Sequence, residues 1–563
     1  MSQGNYEGIS IHDAMANINA KNNGWFLPNI QRQYVWGNRE SSEEYICLLV
    51  DSLMRGFPIG GLVLWETDQP VPYREFLTDY EVGAVARIVS QERWANHKFL
   101  VYDGQQRLQT LHSILYHRFN GRVLYYDLLF DPEVNEIDDT GFFFKNKDEN
   151  VSATCIALPE LTGKSTLEEK RQLRRRVSAD PSLTENQLAL IETNLDRLWS
   201  VFVGTELRSI AYFPVRSNSP AAVNEVFRRL NTGGISLTQL EMVLAKIKEK
   251  SPYFEEELWA LSKQIKDATG TPGYSFSAHD IVQLIYLIWF QTTRVDEGRV
   301  NSTNISDLVN MQKWVQEVIP HIFKYFFFEG FRINAKWLIL RQQAILPILA
   351  YFVTLAKYGY KWKPEQIDVT NIRTYFVKSQ LCDWNTQTMV TQFSRNAIEA
   401  AMKNQVFPLE NITQIAIEKN RTGDIFFYQL EGPIWFSLKI LTPGREYLFD
   451  EQTPQIDHIF PKKMYKGMED EAEYETAVNV LWNMQPAPAG VNNHKRVKHP
   501  KDFFSSPEGR PYFDSYDFLP DLFSSLWNSE KDFIEFRKSK MVAFMKNNYG
   551  VEIKENPQKE MKK

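Results

Sequence analysis

The run Phe99-Leu-Val-Tyr102 passes at once into Asp103-Gly104 and then into Leu108, Leu111, Ile114 and Leu115 at helical spacing. That order dictates a strand, a tight turn and a helix with one apolar face, and such a unit buries itself only beside further strands. Gly60-Gly61-Leu-Val-Leu-Trp65 supplies another strand, and Phe142-Phe-Phe-Phe-Lys145, set in an acidic stretch, a third. The opening part of the chain is therefore expected to mix helices and strands.

With 563 residues the chain is about four times a typical domain, so two to four domains are expected. Hydrophobic residues make up 43% and charged residues 24%, enough apolar surface for real cores, which excludes global disorder. Lysine and arginine total 64 against 70 acids, net −6, so any nucleic-acid contact has to come from a local basic patch. Cys47, Cys155 and Cys382 lie far apart with no CxxC pair, which argues against a disulfide framework or thiolate metal site and fits a reducing cytoplasm. The start lacks a basic stretch followed by an apolar one, so no secretory leader is expected. The best membrane candidate, Ala344 to Ala356, is 13 residues with Pro347 inside, and reads as a buried core helix.

Thr166-x-x-Glu169 and Ser182-x-x-Glu185 read as capping boxes, the second opening a stripe at Leu188, Ile191, Leu195, Leu198 and Phe202. From Leu240 to Phe426 helical periodicity dominates, with Ile281 to Phe290 and Trp337 to Leu355 apolar enough to require burial by neighbours. The aromatic run Phe323 to Phe328 is assigned to that core. Beyond Pro443 short, proline-rich segments form a third unit that ends in a lysine-rich tail. The expected division is 1–245, an α+β domain with a helical insertion; 246–430, a helical bundle; and 431–563, a loop-rich domain with a frayed basic tail.

The turn Asp103-Gly104-Gln105-Gln106-Arg107 suits phosphate: Gly104 admits close backbone approach, the first helical N–H groups are unpaired, and Arg107 adds a fork of donors. Asp103 can hold magnesium beside the phosphates. The same residues serve equally as an N-cap, a turn and a polar surface. Leu27-Pro-Asn-Ile-Gln31-Arg32-Gln-Tyr34-Val-Trp36 crowds polar and aromatic groups into a short stretch. Phe227-Arg-Arg-Leu-Asn231-Thr-Gly233-Gly234 precedes the cap candidate Ser236-x-x-Gln239 and a helix facing inward through Leu240, Val243, Leu244 and Ile247.

Taken in order, IQRQYVW, VYDGQQRLQTL and VFRRLNTGGISLTQLE resemble the N-terminal domain of GmrSD-type modification-dependent restriction endonucleases, a domain also found in the phosphorothioate-sensing nuclease SspE. The resemblance spans roughly residues 10 to 250. It implies a ParB/sulfiredoxin-like fold that binds and hydrolyses nucleoside triphosphates, with Asp103, Gly104, Gln105, Gln106 and Arg107 at the nucleotide and Gln31 and Arg32 nearby. Tyr34 and Trp36 are candidates for a DNA-reading pocket, with buried packing the plainer role for Trp36.

Near the other end, Gln455-Ile-Asp457-His458-Ile-Phe-Pro461 sets a carboxylate beside an imidazole at the end of a short strand, followed by Asn483 and by Asn492-Asn493-His494-Lys495. Phosphodiester hydrolysis needs a base for water and a cation for phosphate charge, and histidine is suited to the first task near neutrality. One Asp-His pair alone serves as a structural hydrogen bond more often than as a catalytic centre. The ordered set resembles the DHIFP form of an HNH, or ββα-metal, nuclease at the C-terminus of GmrSD-type proteins. That resemblance makes Asp457 and Asn492 ligands of a divalent metal such as Mg2+ and His458 the general base. It makes Asn483 the residue that orients the base loop, and Lys495 a phosphate contact or a support. Asn493 or His494 replaces Asn492 under a small register shift, and Met484 to Ala489 departs from the family's apolar run. Lys495, Arg496, Lys498 and Lys501, with no acid among them, form a basic footprint. The expected function is a cytoplasmic, modification-dependent DNA endonuclease of phage defence that couples nucleoside triphosphate hydrolysis to HNH cleavage or nicking. Its partner is modified phage DNA, and an oligomer is allowed. A nucleotide-responsive DNA-binding regulator with a degenerate nuclease domain and a nucleotide-restrained toxin-like nuclease are the alternatives.

Overall fold

The computed structural model describes residues 6–38, 41–135, 139–146, 149–231, 238–270, 272–442, 455–464, 466, 471–487, 491 and 494–557. Asn492, Asn493 and Thr232 to Gly234 fall outside them, as does the cap candidate Ser236. The chain is a mixed α/β protein that forms two compact units, Met1–Glu256 and Glu257–Lys563.

The first unit is built on a six-stranded sheet. Its strands are β1 (Glu7–Ile9), β2 (Trp25–Pro28), β3 (Leu62–Thr67), β4 (Tyr73–Arg74), β5 (Lys98–Asp103) and β9 (Ile210–Arg216), in the order β1-β9-β3-β5-β2-β4. β9 runs parallel to β3 and β5 parallel to β2, while β3 and β5 are antiparallel. Alternation along the strands feeds a core on each face. Leu62, Leu64 and Val101 join a large core with α1 (Ile11–Asn19), α2 (Ser42–Arg55) and α3 (Gln105–Tyr116), whereas Trp65, Leu100 and Tyr102 pack on the opposite face with Phe26, Tyr73 and Val215. β6 (Arg122–Asp127), β7 (Phe142–Asn146) and β8 (Cys155–Ala157) make a small antiparallel sheet in the order β7-β6-β8. The expected strands and the inward face of α3 are all present.

Helix starts are set by local chemistry, and two differ from the expected register. Thr166 and Glu169 form the expected capping box. The next helix, Glu185–Phe202, is capped by Thr184 and Gln187, because Ser182 instead hydrogen-bonds Asp180. The helix Gln239–Lys250 is likewise boxed by Thr238 and Glu241. Leu188, expected in the core stripe, is 37% exposed at the first turn of the helix, ahead of the buried Ile191.

The second unit is mainly helical through residue 441, with one short strand at Ile425–Phe426 paired to Ile553–Lys554. Its centre is the helix Leu346–Lys357, buried from Leu346 to Ala356 and packed on Gln387–Met402. The Trp337 to Leu355 stretch is not one helix: 3-10 turns at Lys336–Leu338 and Gln342–Ile345 precede it, and Trp337 is 45% exposed. Phe323–Phe328 is π-helical, with Phe323, Phe326 and Phe327 buried as expected. Among the described residues no helix is long and apolar enough to cross a membrane. Beyond residue 454, the strands Gln455–His458 and Met484–Ala487 pair antiparallel, and Ile459, Phe460, Val491, Phe503, Trp527 and Phe533 form a separate core beside them.

Candidate functional site

β5 delivers Asp103 to the turn, and Gly104 makes it in the left-handed region at φ +85°. A Cβ there would be strained by the positive φ and would push on Leu62 Cδ2, so the turn favours glycine. The Gly104 N–H donates to Asp103 Oδ1 at 2.8 Å, and Gly104, not Asp103, holds the N-cap position of α3. Arg107 turns back on the chain. Its guanidinium donates to the carbonyl oxygens of Ile59 and Gly61 and lies 3.6 Å from Asp103, so in this state it braces the loop before β3. Burial pulls its pKa down and Asp103 holds it up.

The IQRQYVW segment lies against the same turn, and the glutamines do the joining. Gln106 accepts from the Val35 N–H at 2.9 Å and donates to the Gln33 carbonyl at 3.2 Å, an amide substituting for a strand partner. Gln31 donates to the Tyr102 carbonyl at 2.5 Å, and Tyr34 Oη pairs with Thr110 Oγ1 at 2.6 Å. Tyr34 is thus buried rather than open to a ligand. Gln105 faces the Arg32 carbonyl, and the Arg32 side chain reaches Glu241 at 3.3 Å.

Three residues without a sequence signal complete this site. Buried Arg74 donates to the Gln31 carbonyl at 2.9 Å, and buried Lys248 donates to the same oxygen at 2.7 Å and to Glu255 at 2.8 Å. Burial lowers the Lys248 pKa to about 8 against the pull of Glu255. Gln31 Oε1 and Arg74 Nε and Nη1 have no hydrogen-bond partner among the described residues. Arg74 lines a cavity beside Arg32, Gln33, Gln105 and Gln106 with room for about one water. A separate open groove of about 680 Å3, lined by Tyr116, His117, Arg118 and Tyr125, contains none of the motif residues.

In the second unit, register sets the geometry: Asp457 lies opposite Gln485 and His458 opposite Met484. Asp457 is 2% exposed, and its Oδ2 accepts from the Lys495 ammonium and from the Tyr516 hydroxyl at 2.7 Å. Lys495, 1% exposed, also donates to the carbonyls of His458 at 2.6 Å and Ile459 at 3.1 Å, so it supports the strand end from inside. Burial lowers its pKa while Asp457 opposes the shift. Asn483 is fully buried and clasps the next turn, accepting from the Phe460 N–H and donating to the Phe460 and Val478 carbonyls at 2.8 to 2.9 Å. Arg537, equally buried, ties the second strand through the Trp482 and Met484 carbonyls.

His458 lies partly exposed, 3.1 Å from Asn479 Oδ1 through Nε2. Burial keeps its pKa below 6.5, so the ring is neutral near pH 7; with Nε2–H donating to Asn479, the lone pair is on Nδ1. Among the described residues no group of three or more His, Cys, Asp or Glu gathers as a metal nest. Asp457 supplies a carboxylate of the kind a hard cation takes, but its Oδ2 is occupied by the Lys495 ammonium and the Tyr516 hydroxyl, so a cation there would have to displace them or use the other carboxylate oxygen. The structure brings Asp457, His458, Asn483 and Lys495 together. Exposed His494, Arg496 and Lys498 follow on the same segment.

No curated protein matches the chain. Residues 12–248 match the family model of the GmrSD restriction endonuclease, N-terminal domain, so that part of the chain is similar to this domain.

Proposed function

We propose that the chain is a cytoplasmic, modification-dependent endonuclease in which nucleoside triphosphate binding and hydrolysis at the Asp103–Arg107 turn is coupled to HNH cleavage or nicking at Asp457 and His458. The observation that carries the reading is His458: a neutral imidazole, oriented by Asn479, at the end of a strand whose neighbouring carboxylate is buried. The antiparallel strand pair followed by helical backbone at Val491 and His494–Lys495 supports a ββα-metal arrangement. The sheet of the first unit, with cores on both faces, is read as the ParB/sulfiredoxin-like domain.

In this mechanism His458 Nδ1 takes a proton from the attacking water, and Asn479 keeps the ring in that tautomer. Asn483 and Lys495 fix the backbone from His458 to Phe460 so that the ring does not drift. A divalent ion such as Mg2+, held by Asp457 with Asn492, would neutralise charge on the phosphate and leaving oxygen when bound. Arg496 and Lys498 are read as phosphate contacts. At the first site Gln105, Gln106, Gln31 and Arg32 face the nucleotide, with Arg107 bracing the turn. The water-sized cavity requires the nucleotide to seat on the outside of the turn or the 31–34 segment to open.

The Lys495 and Tyr516 contacts to Asp457 favour a second reading, a nucleotide-responsive DNA-binding regulator with a degenerate nuclease domain. Incubating the protein with plain, cytosine-modified and backbone-modified DNA, magnesium and each triphosphate separates the two. Cut product plus phosphate release supports the endonuclease; binding with no cut product under any condition supports the regulator.

A further inference from the structure

We propose that the helical part of the second unit carries a binding surface for unpaired nucleic-acid strands, centred on Lys357–Lys363. The segment reads Lys357-Tyr358-Gly359-Tyr360-Lys361-Trp362-Lys363, cation and ring in alternation with no acid. It is held rigidly. The Tyr360 N–H donates to the Leu355 carbonyl at 3.0 Å and the Gly359 N–H to the Ala356 carbonyl at 2.9 Å, closing the helix Leu346–Lys357 with a Schellman turn. Gly359 sits at φ +75° with open space where a Cβ would go, so its role is backbone shape alone.

That turn places the rings of Tyr358 and Tyr360 within 14° of parallel, centroids 6.5 Å apart, with Tyr358 44% exposed. Lys357 Nζ sits 5.2 Å from the Trp289 ring centroid and 6.0 Å from that of Tyr358. On the other side Lys363 lies over Trp362, whose edge meets His321 at 5.2 Å, and His321 contacts Tyr325 at 4.3 Å, itself covered by Lys324 at 4.9 Å. Residues from separate helices thus meet in two groups of rings and ammonium groups, one at Trp289, Lys357, Tyr358 and Tyr360 and one at Lys363, Trp362, His321, Tyr325 and Lys324, joined by the backbone from Tyr360 to Trp362.

Core packing accounts for buried Trp362 but not for an exposed Tyr358. Among the described residues none of Lys324, Lys357, Lys361 and Lys363 is in an ion pair, which leaves their charge open to an anionic partner. The carboxylates facing the two groups are Glu365, hydrogen-bonded to His321 at 3.2 Å, and Asp307, which acts on Lys357. Aromatic faces stack on bases of any sequence while lysines follow the phosphates. In a duplex those base faces are already stacked, so the occupant is an unpaired strand. This surface is independent of the cleavage reading, and would hold a strand whether or not His458 is catalytic.

The test is fluorescence polarisation on the full chain, in chelator and without nucleotide, with a labelled strand of about 20 nucleotides, enough to span such a site, and the same sequence as a duplex. Tyr358→Ala/Tyr360→Ala is expected to weaken single-strand binding about tenfold and leave duplex binding unchanged. Tyr358→Phe/Tyr360→Phe retains binding. Lys361→Gln/Lys363→Gln lowers the slope of log K against log salt by about 1.4. Parent-like single-strand affinity in the alanine variant, or an equal loss on strand and duplex, overturns the proposal. Should the alanine variant unfold by circular dichroism, an unchanged salt slope in the lysine variant overturns it instead.

Discussion

Replacing Lys495 by Met keeps the length of the side chain and removes its charge. Three acceptors lose a donor: Asp457 Oδ2 and the carbonyls of His458 and Ile459. Asp457 is left as a carboxylate at 2% exposure with only the Tyr516 hydroxyl from its two donors. Breaking a buried pair by removing one partner costs about 3–5 kcal/mol, and the surviving Tyr516 bond places this case near the lower figure, about 3 kcal/mol. That corresponds to roughly a hundredfold change in a local opening equilibrium. Because a chain of two units does not melt in one step, the assay is hydrogen exchange read by mass spectrometry. Peptides covering Ile456 to Phe460, where the Ile459 N–H bonds the Asn483 carbonyl at 2.9 Å, should exchange about a hundredfold faster than in the parent. The first unit should be unaffected. Adding Asp457→Asn removes the stranded charge and restores most of the protection. Parent-like exchange in Lys495→Met would refute the reasoning, since the ion pair would then not be holding the strand end.

Asn483→Ala removes the partner of three buried backbone groups and should cost about 3 kcal/mol, seen as faster proteolysis within residues 455–487. Gly104→Ala meets both a left-handed backbone and Leu62; a loss of about 2 kcal/mol is expected, read as faster hydrogen exchange in peptides covering the turn, together with loss of fluorescent-nucleotide binding. Buried His112 bonds the Leu77 carbonyl and faces Asn19, and burial lowers its pKa to about 4. An unfolded chain takes that proton near pH 6.5 while the folded one resists it until about 4, so stability falls as pH drops through this window, by up to about 3 kcal/mol. Urea midpoints from pH 7 to 4 should show that slope in the parent and a shallower one in His112→Gln.

Periodicity and turn chemistry made much of this structure legible. The Phe99–Leu115 unit appears as β5, the Gly104 turn and α3 because each element is specified by residues adjacent in sequence. The two shifted caps show the limit of that logic: Ser182 and Thr184 are equally good cap residues, and only the competing Asp180 hydrogen bond decides between them. At the sites, motif residues were visible but their partners were not. Arg74, Lys248 and Glu255 hold the Gln31 segment across gaps of 43, 217 and 222 residues, and no local pattern encodes a pairing over such distances. Lys495 was visible as a basic residue in a basic run. What hid its burial is that the acceptors that draw it inward come from Asp457 and the turn after it. Arg107 likewise read as a free fork until the Ile59 and Gly61 carbonyls were seen to occupy it.

The most direct test of the account is cleavage of modified DNA by His458→Ala, with magnesium and triphosphate present and folding verified by the exchange pattern of Ile456 to Phe460. Loss of the general base predicts at least about a hundredfold slower cutting with DNA binding retained. In the parent the acidic limb of the rate should fall below pH 6.5, as the depressed imidazole pKa requires. Parent-like cutting by the folded variant would contradict the assignment of the centre.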